Sequence, residues 1–222
     1  MLKKILNSYK RYGLINIIKY LIKKKFNINI NINDPIQNKR LYLFKEIEKI
    51  TNCEVASGLY KKTKFIKSSN YFLAKSAQLL GFYEKEIQEK IFELKNKKNL
   101  KYFINLGAGE GFHAVGSMTK KIFKKCITFE MNKENKISIK DNFRINNINS
   151  YEIFGIADVD FLNNIKDKIE LNSSLFLFDI EGEEFSVLTE KNLQTLKNSY
   201  LIIEFHDFYS DKETVANFIQ RL

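Results

Sequence analysis

Phe103-Ile104-Asn105-Leu106-Gly107-Ala108-Gly109-Glu110-Gly111-Phe112-His113 decides how this chain is read. A short apolar run stops at three glycines set at every second position. Behind them Phe112, Ala114, Val115 and Met118 recur at helical spacing. The pattern predicts a strand, a tight turn and a helix. Glycines in such a turn let the backbone take positive φ and pass close to a ligand, to which the helix start offers its free amides. The spacing bears on which ligand. A dinucleotide turn needs Gly-x-Gly-x-x-Gly, and its third glycine would fall at Phe112. Here it falls at Gly111, one residue earlier.

From residue 101 strands alternate with helices, the mark of a parallel sheet covered on both faces. Strands are expected at 101–106, 126–130, 151–155, 175–180 and 200–205. Helices are expected at 112–121, 132–145, 183–189 and 211–222. The fold class is α/β, a doubly wound, mostly parallel sheet spanning residues 99–222. Residues 1–98 read as a mainly helical accessory segment. Amphipathic helices fall within 2–26, broken near Gly13, and a strand-like alternation covers 26–33. Asp34-Pro35 marks a turn, and a helix at 37–50 would turn Leu41, Phe44, Ile47 and Ile50 inward. A hairpin around Ser57-Gly58 runs to Ile66, and helices at 69–80 and 83–97 meet near Gly81.

The chain has 222 residues, 44% of them hydrophobic, enough for one well-buried core. Lysine and arginine outnumber the acids 37 to 26, for a formal charge of +11. Charge alone therefore admits nucleic acid, an anionic membrane or an acidic glycan as partner. Cys53 and Cys126 make no disulfide framework, and with only two histidines they match no zinc spacing. Cys126 reads as a small buried hydrophobe. No stretch reaches the ~18 apolar residues of a membrane span, and the basic start lacks a signal-peptide core. A cytoplasmic protein is expected, with residues 1–26 as the segment for any peripheral membrane contact.

Gly-x-Gly-x-Gly after a strand resembles the turn carried by S-adenosylmethionine-dependent methyltransferases. In a doubly wound sheet, ligands sit beyond the carboxyl ends of the strands. Strand one supplies Asn105, Gly107, Ala108, Gly109 and Gly111. Strand two ends in Glu130, whose carboxylate can accept both ribose hydroxyls. Strand three leads to Ala157 and Asp158, a small residue and an acid suited to the exocyclic amine of an adenine. Strand four ends in Asp179-Ile180-Glu181-Gly182-Glu183-Glu184, four carboxylates that need solvent or a cation. A helix start accounts for Glu183 and Glu184 through its dipole. Asp179 and Glu181 are left to face a sulfonium or a substrate hydroxyl. Both histidines, His113 and His206, fall just past strand ends.

The run LFLFDIEGEEFSVL, with Asp179, Glu181, Gly182 and Glu184, resembles the Asp-x-Glu-Gly-x-Glu signature of the FkbM-type methyltransferase family. INLGAGEGFHAVG, TFEMNKENKISIKDNFRINNI and LIIEFHDF are similar to that family's first, second and fifth strand regions, and LLGFYEKEI to a segment ahead of them. The resemblance covers roughly residues 70–210. It implies S-adenosyl-L-methionine as cofactor and a hydroxyl of a sugar, a glycan or another small metabolite as methyl acceptor. Asn105 stands where methyltransferases often carry an acid. That sheet usually has two further strands after the fifth helix; without them either the chain is truncated, or the sheet is small, or an N-terminal strand fills the edge, and an unfilled edge would invite pairing with another chain.

The candidate general bases are His206, Glu181 and Asp179. His206 comes first because its unperturbed pKa, ~6.5, suits the task. No metal is expected; were one used, Asp179, Glu181 and His206 would bridge it. Tyr83, Glu84 and His113 are placed beside the acceptor. An RNA methyltransferase and a non-catalytic, membrane-attached partner are the alternatives. Nucleic acid is the weaker partner, because the acidic loop after strand four is a poor surface for phosphates.

Overall fold

A computed structural model describes residues 35–67, 72–206 and 215–220. The expected helices within 2–26, the alternation at 26–33 and Asp34 of the expected turn lie outside the described residues. So do residues 69–71, 211–214 and 221–222 of two expected helices.

Five strands form one parallel sheet in the order β3-β2-β1-β4-β5. They are β1 Tyr102–Leu106, β2 Lys125–Phe129, β3 Tyr151–Phe154, β4 Ser174–Phe178 and β5 Tyr200–Ile203. β1 lies at the centre, with Phe103 opposite Cys126 on one side and Leu175 on the other. Successive side chains point to opposite faces of a strand, and here both faces are covered. Phe103, Cys126, Leu175 and Leu177 enter one core; Ile104, Ile127, Phe129, Phe176 and Phe178 enter the other. This is why the strands read as continuous apolar runs rather than alternations. Cys126 is a fully buried free thiol, pushed up from its ordinary pKa by burial.

The helices are α1 Pro35–Thr51, α2 Phe72–Leu80, α3 Lys85–Lys98, α4 Phe112–Thr119, α5 Lys133–Ile145, α6 Glu184–Val187, α7 Glu190–Leu196 and α8 Val215–Ile219. Asn132 caps α5, accepting from the amides of Glu134 and Asn135. None of the described helices is long and apolar enough to cross a membrane.

Three expectations need correction. α1 does not turn four apolar residues inward: Phe44 is buried, Ile47 is half-buried, and Leu41 and Ile50 are exposed. Among the described residues α1 packs chiefly on α2, and one helical neighbour covers only a narrow stripe. The helix expected at 183–189 is a single turn, α6. Thr189 then opens α7, its hydroxyl accepting from the amide of Asn192. Residues 54–66 form a turn closed by one bridge, Glu54 with Lys64, in place of a regular hairpin. That turn packs on the sheet domain. Tyr60 lies against α4 at Gly116, where an added Cβ would stand 2.5 Å from the ring. Asn142 of α5 ties the turn to the loop after β1. It accepts from the amide of Ile66 and donates to the carbonyl of Glu110.

Candidate active site

A cavity of about 520 Å³ opens at the carboxyl ends of β1, β2 and β4, roofed by Tyr83 and Glu84. The loop after β1 forms its floor. Gly107 holds φ +79°, and a Cβ there would come 1.6 Å from the carbonyl oxygen of Asp179. Only glycine lets β1 and β4 close on each other at this point. Gly109 also holds positive φ, and an added Cβ would meet nothing within 4 Å. Asn105, Gly107, Ala108 and Gly109 line the cavity, while Gly111 caps α4 at φ +86°.

Glu130 lines the same wall and is 7% exposed. Its Oε2 accepts from the amide of Gly109 at 2.8 Å, and its Oε1 from the amide of Asn132 at 2.8 Å. The side chain thus braces the glycine turn, and each oxygen keeps a further lone pair for a ligand hydroxyl. Ala157 lines the cavity. Asp158 does not: it is exposed and accepts from the amide of Asp160 across a turn.

The roof comes from the segment between α2 and α3. Glu84 has left-handed backbone, φ 44°. His113 Nε2 lies 2.7 Å from Glu84 Oε2, and His113 Nδ1 lies 3.3 Å from the Tyr60 hydroxyl. Burial alone would raise the Glu84 carboxyl. The hydrogen bond and charge of His113 outweigh it and hold the group below its ordinary value. Burial also pushes the Tyr83 phenol up, with Glu84 adding to the effect.

The opposite wall is acidic. Asp179 and Glu181 line the cavity after β4, and Glu204 lines it after β5. Burial, then the charges of Glu204 and Glu84, push the Asp179 carboxyl up to about 7. Glu184 does not sit at a solvated helix start, as the sequence suggested. It is fully buried and accepts from the amides of Ile180 at 3.0 Å and Gly182 at 3.1 Å. His206 Nδ1 lies 3.0 Å from Glu184 Oε1. His206 is buried behind Asp179 and Glu181, its Nε2 3.8 and 3.7 Å from their carboxylates. Burial would lower its pKa, but the Glu184 bond and neighbouring charges raise it.

Sequence reading missed Lys75, which is 1% exposed and donates to Glu110 Oε2 at 2.7 Å beneath the glycine loop. A buried lysine paired across 35 positions leaves no local signal. Glu204 was within sight, two residues before His206, but was taken as part of a strand.

No family model matches the chain, and no curated protein matches it in sequence. Solved structures do match. P. horikoshii TYW2 in complex with MeSAdo aligns at 15% identity and a TM-score of 0.36, covering 60% of this chain and 49% of that one. The Escherichia coli protein yhhF, assigned as a methyltransferase, aligns at 13% identity and 0.46, covering 73% and 84%. A Klebsiella pneumoniae protein assigned as an O-methyltransferase aligns at 11% identity and 0.42, covering 91% and 79%. The chain spans about half the length of the first and most of the other two.

Proposed function

We propose that this chain is an S-adenosyl-L-methionine-dependent methyltransferase of the FkbM type, acting on a hydroxyl of a sugar, a glycan or another small metabolite. One observation carries the reading. A glycine turn braced by Glu130 and the Asp179–Glu184 loop face each other across a single cavity. The amides of the turn and the start of α4 suit the cofactor's carboxylate. Glu130 suits its ribose, Ala157 its adenine edge, and the acidic wall its sulfonium. When bound, the cofactor would supply an activated methyl group: the acceptor oxygen would take the methyl carbon as the carbon–sulfur bond breaks, the electron pair staying on sulfur to leave S-adenosylhomocysteine, a neutral thioether. Alignment supplies most of the rate, because the methyl group is already activated. The acceptor's proton passes to the Asp179–Glu181–His206 cluster, a step worth on the order of 10²–10⁴-fold.

Calorimetric titration with S-adenosylmethionine and with NAD tests the reading. One site for the first and none for the second is expected, with binding lost in Glu130→Ala and Gly109→Val. Tight NAD binding would overturn it. The charge of +11 favours a second reading, RNA as acceptor. Methyl transfer to bulk cellular RNA in preference to small hydroxylated acceptors would establish that reading in place of the first.

A further inference from the structure

The strands bring more negative charge to this cavity than the basic side chains among its described lining residues answer. Among the described residues, seven carboxylates line it and no lysine or arginine does, in a protein carrying 37 such basic residues. At the glycine end the carboxylates have partners within the chain. Glu110 meets Lys75, Glu130 meets two amides and Glu84 meets His113. The other end is arranged differently. His206 Nε2 stands 3.8 Å from Asp179 Oδ1, 3.7 Å from Glu181 Oε2 and 3.9 Å from Glu204 Oε1. These separations are too long for hydrogen bonds. One donor atom each from Asp179, Glu181 and His206 falls within 4.8 Å of the other two.

A group outside that trio aims the imidazole. Glu184, fully buried and held by two backbone amides, fixes His206 through Nδ1. An imidazole held by a carboxylate at one nitrogen is the arrangement that turns the other nitrogen onto a metal. Clustered acids alone would be an ordinary solvated loop; a buried histidine, locked from behind and facing them, is not.

We propose that Asp179, Glu181 and His206 bind a divalent first-row metal ion, with Glu204 at its edge and open positions for water and an acceptor oxygen. Bonds of about 2.0–2.2 Å set neighbouring donors about 3–3.5 Å apart, so the His206 edges at 3.8 and 3.7 Å close by under about an ångström and an edge at the 4.8 Å limit by roughly 1.3–1.8 Å. Glu181, 76% exposed, is free to move that far. One imidazole nitrogen among carboxylates favours Mn²⁺, Fe²⁺ or Co²⁺ over Mg²⁺ and Ca²⁺, which select oxygen. The binding stands on this geometry. Its catalytic use rests on the methyltransferase reading: the ion would acidify an acceptor hydroxyl beside the methyl donor, the proton would pass to Glu204 or to water at the edge of the site, and the trio would hold the ion instead of taking the proton.

Chelator-stripped protein titrated with Mn²⁺, followed by loss of the free-ion EPR signal, tests the site. One ion per chain is expected, bound at least tenfold more weakly in Asp179→Asn and in Glu181→Gln. The second variant changes an exposed side chain, so folding is preserved. No Mn²⁺ bound at millimolar concentration, or equal binding by both variants, overturns the proposal. S-adenosylmethionine titrated in parallel separates the two readings. Binding of the cofactor without Mn²⁺ at any concentration defeats the metal site alone; Mn²⁺ binding without the cofactor upholds the site and defeats the methyltransferase.

Discussion

The two ends of the cavity are built on opposite electrostatic plans. At the glycine end every carboxylate is answered by the chain: Glu110 by Lys75, Glu130 by the amides of Gly109 and Asn132. At the β4–β5 end Asp179, Glu181 and Glu204 crowd around one histidine. Charges satisfied internally hold a backbone in place, whereas charges left facing a cavity wait for something to enter it. The contrast teaches that acidity at a strand end has two uses. Glu130 and Glu184 are scaffold through their amide bonds, and Asp179 and Glu181 are not.

Variants that break this contrast range from large effects to small. Lys75→Met strands Glu110 with its main counter-ion gone, and is expected to cost about 3–5 kcal/mol by urea unfolding. Adding Glu110→Gln should recover most of that loss. Gly107→Ala forces a Cβ against the carbonyl of Asp179, expected to cost about 3 kcal/mol from strain and overpacking together. Gly109→Val is the sharper instrument. Its Cβ enters open space, so stability should fall by only about 1–2 kcal/mol while cofactor affinity is lost in calorimetry.

Paired amide substitutions then test the sign of the difference between the ends. Glu130→Gln replaces an oxygen that receives a backbone amide, and should destabilise by about 1–2 kcal/mol. Asp179→Asn removes a charge from a crowd of like charges. In chelator-treated protein at pH 8 it should stabilise by about 1 kcal/mol at an effective dielectric near 20. Equal losses in both variants would erase the distinction.

The smallest effect concerns the roof. The Glu84 carboxyl is held below its ordinary value of 4.5 with His113 as partner. A depressed acid contributes stability that is full above its unfolded pKa and is lost as pH falls through the folded one. The gap in thermal midpoint between the protein and His113→Gln should therefore be widest above about pH 5 and should narrow below pH 4. A gap independent of pH would assign His113 a packing role alone.

How far the sequence could be read depended on the reach of the interactions concerned. β1 and β2 were legible to within a residue because Phe103–Leu106 and Cys126–Phe129 are apolar runs between glycine and charged boundaries. Their central positions in a sheet covered on both faces leave no competing pattern. α7 was missed although Thr189 carried a capping signal, because a short helix after a single turn looks like its continuation. Ile50 was expected inside and is 81% exposed. Periodicity fixes which residues share a face, not whether anything covers it. The glycine turn and the Asp179–Glu184 loop were visible as local strings, but the Glu184–His206 bond spans 22 positions and only the fold reveals it.

The place of β1 in the sheet also bears on how the chain reaches its structure. β1 pairs with β2 across a short connection, but with β4 only after some 70 intervening residues. Closing the longer loop costs chain entropy before any contact repays it. The order expected is the local pairs first, β1 with β2 and β4 with β5, and β1 with β4 last. Until then the run Leu175-Phe176-Leu177-Phe178, fully buried in the finished sheet, stays exposed as an adhesive strand. Pulse-labelled hydrogen exchange during refolding should find the Gly107 amide, bonded to Phe129, protected before the Asp179 amide, bonded to Leu106. Simultaneous protection would mean that the sheet closes in one step.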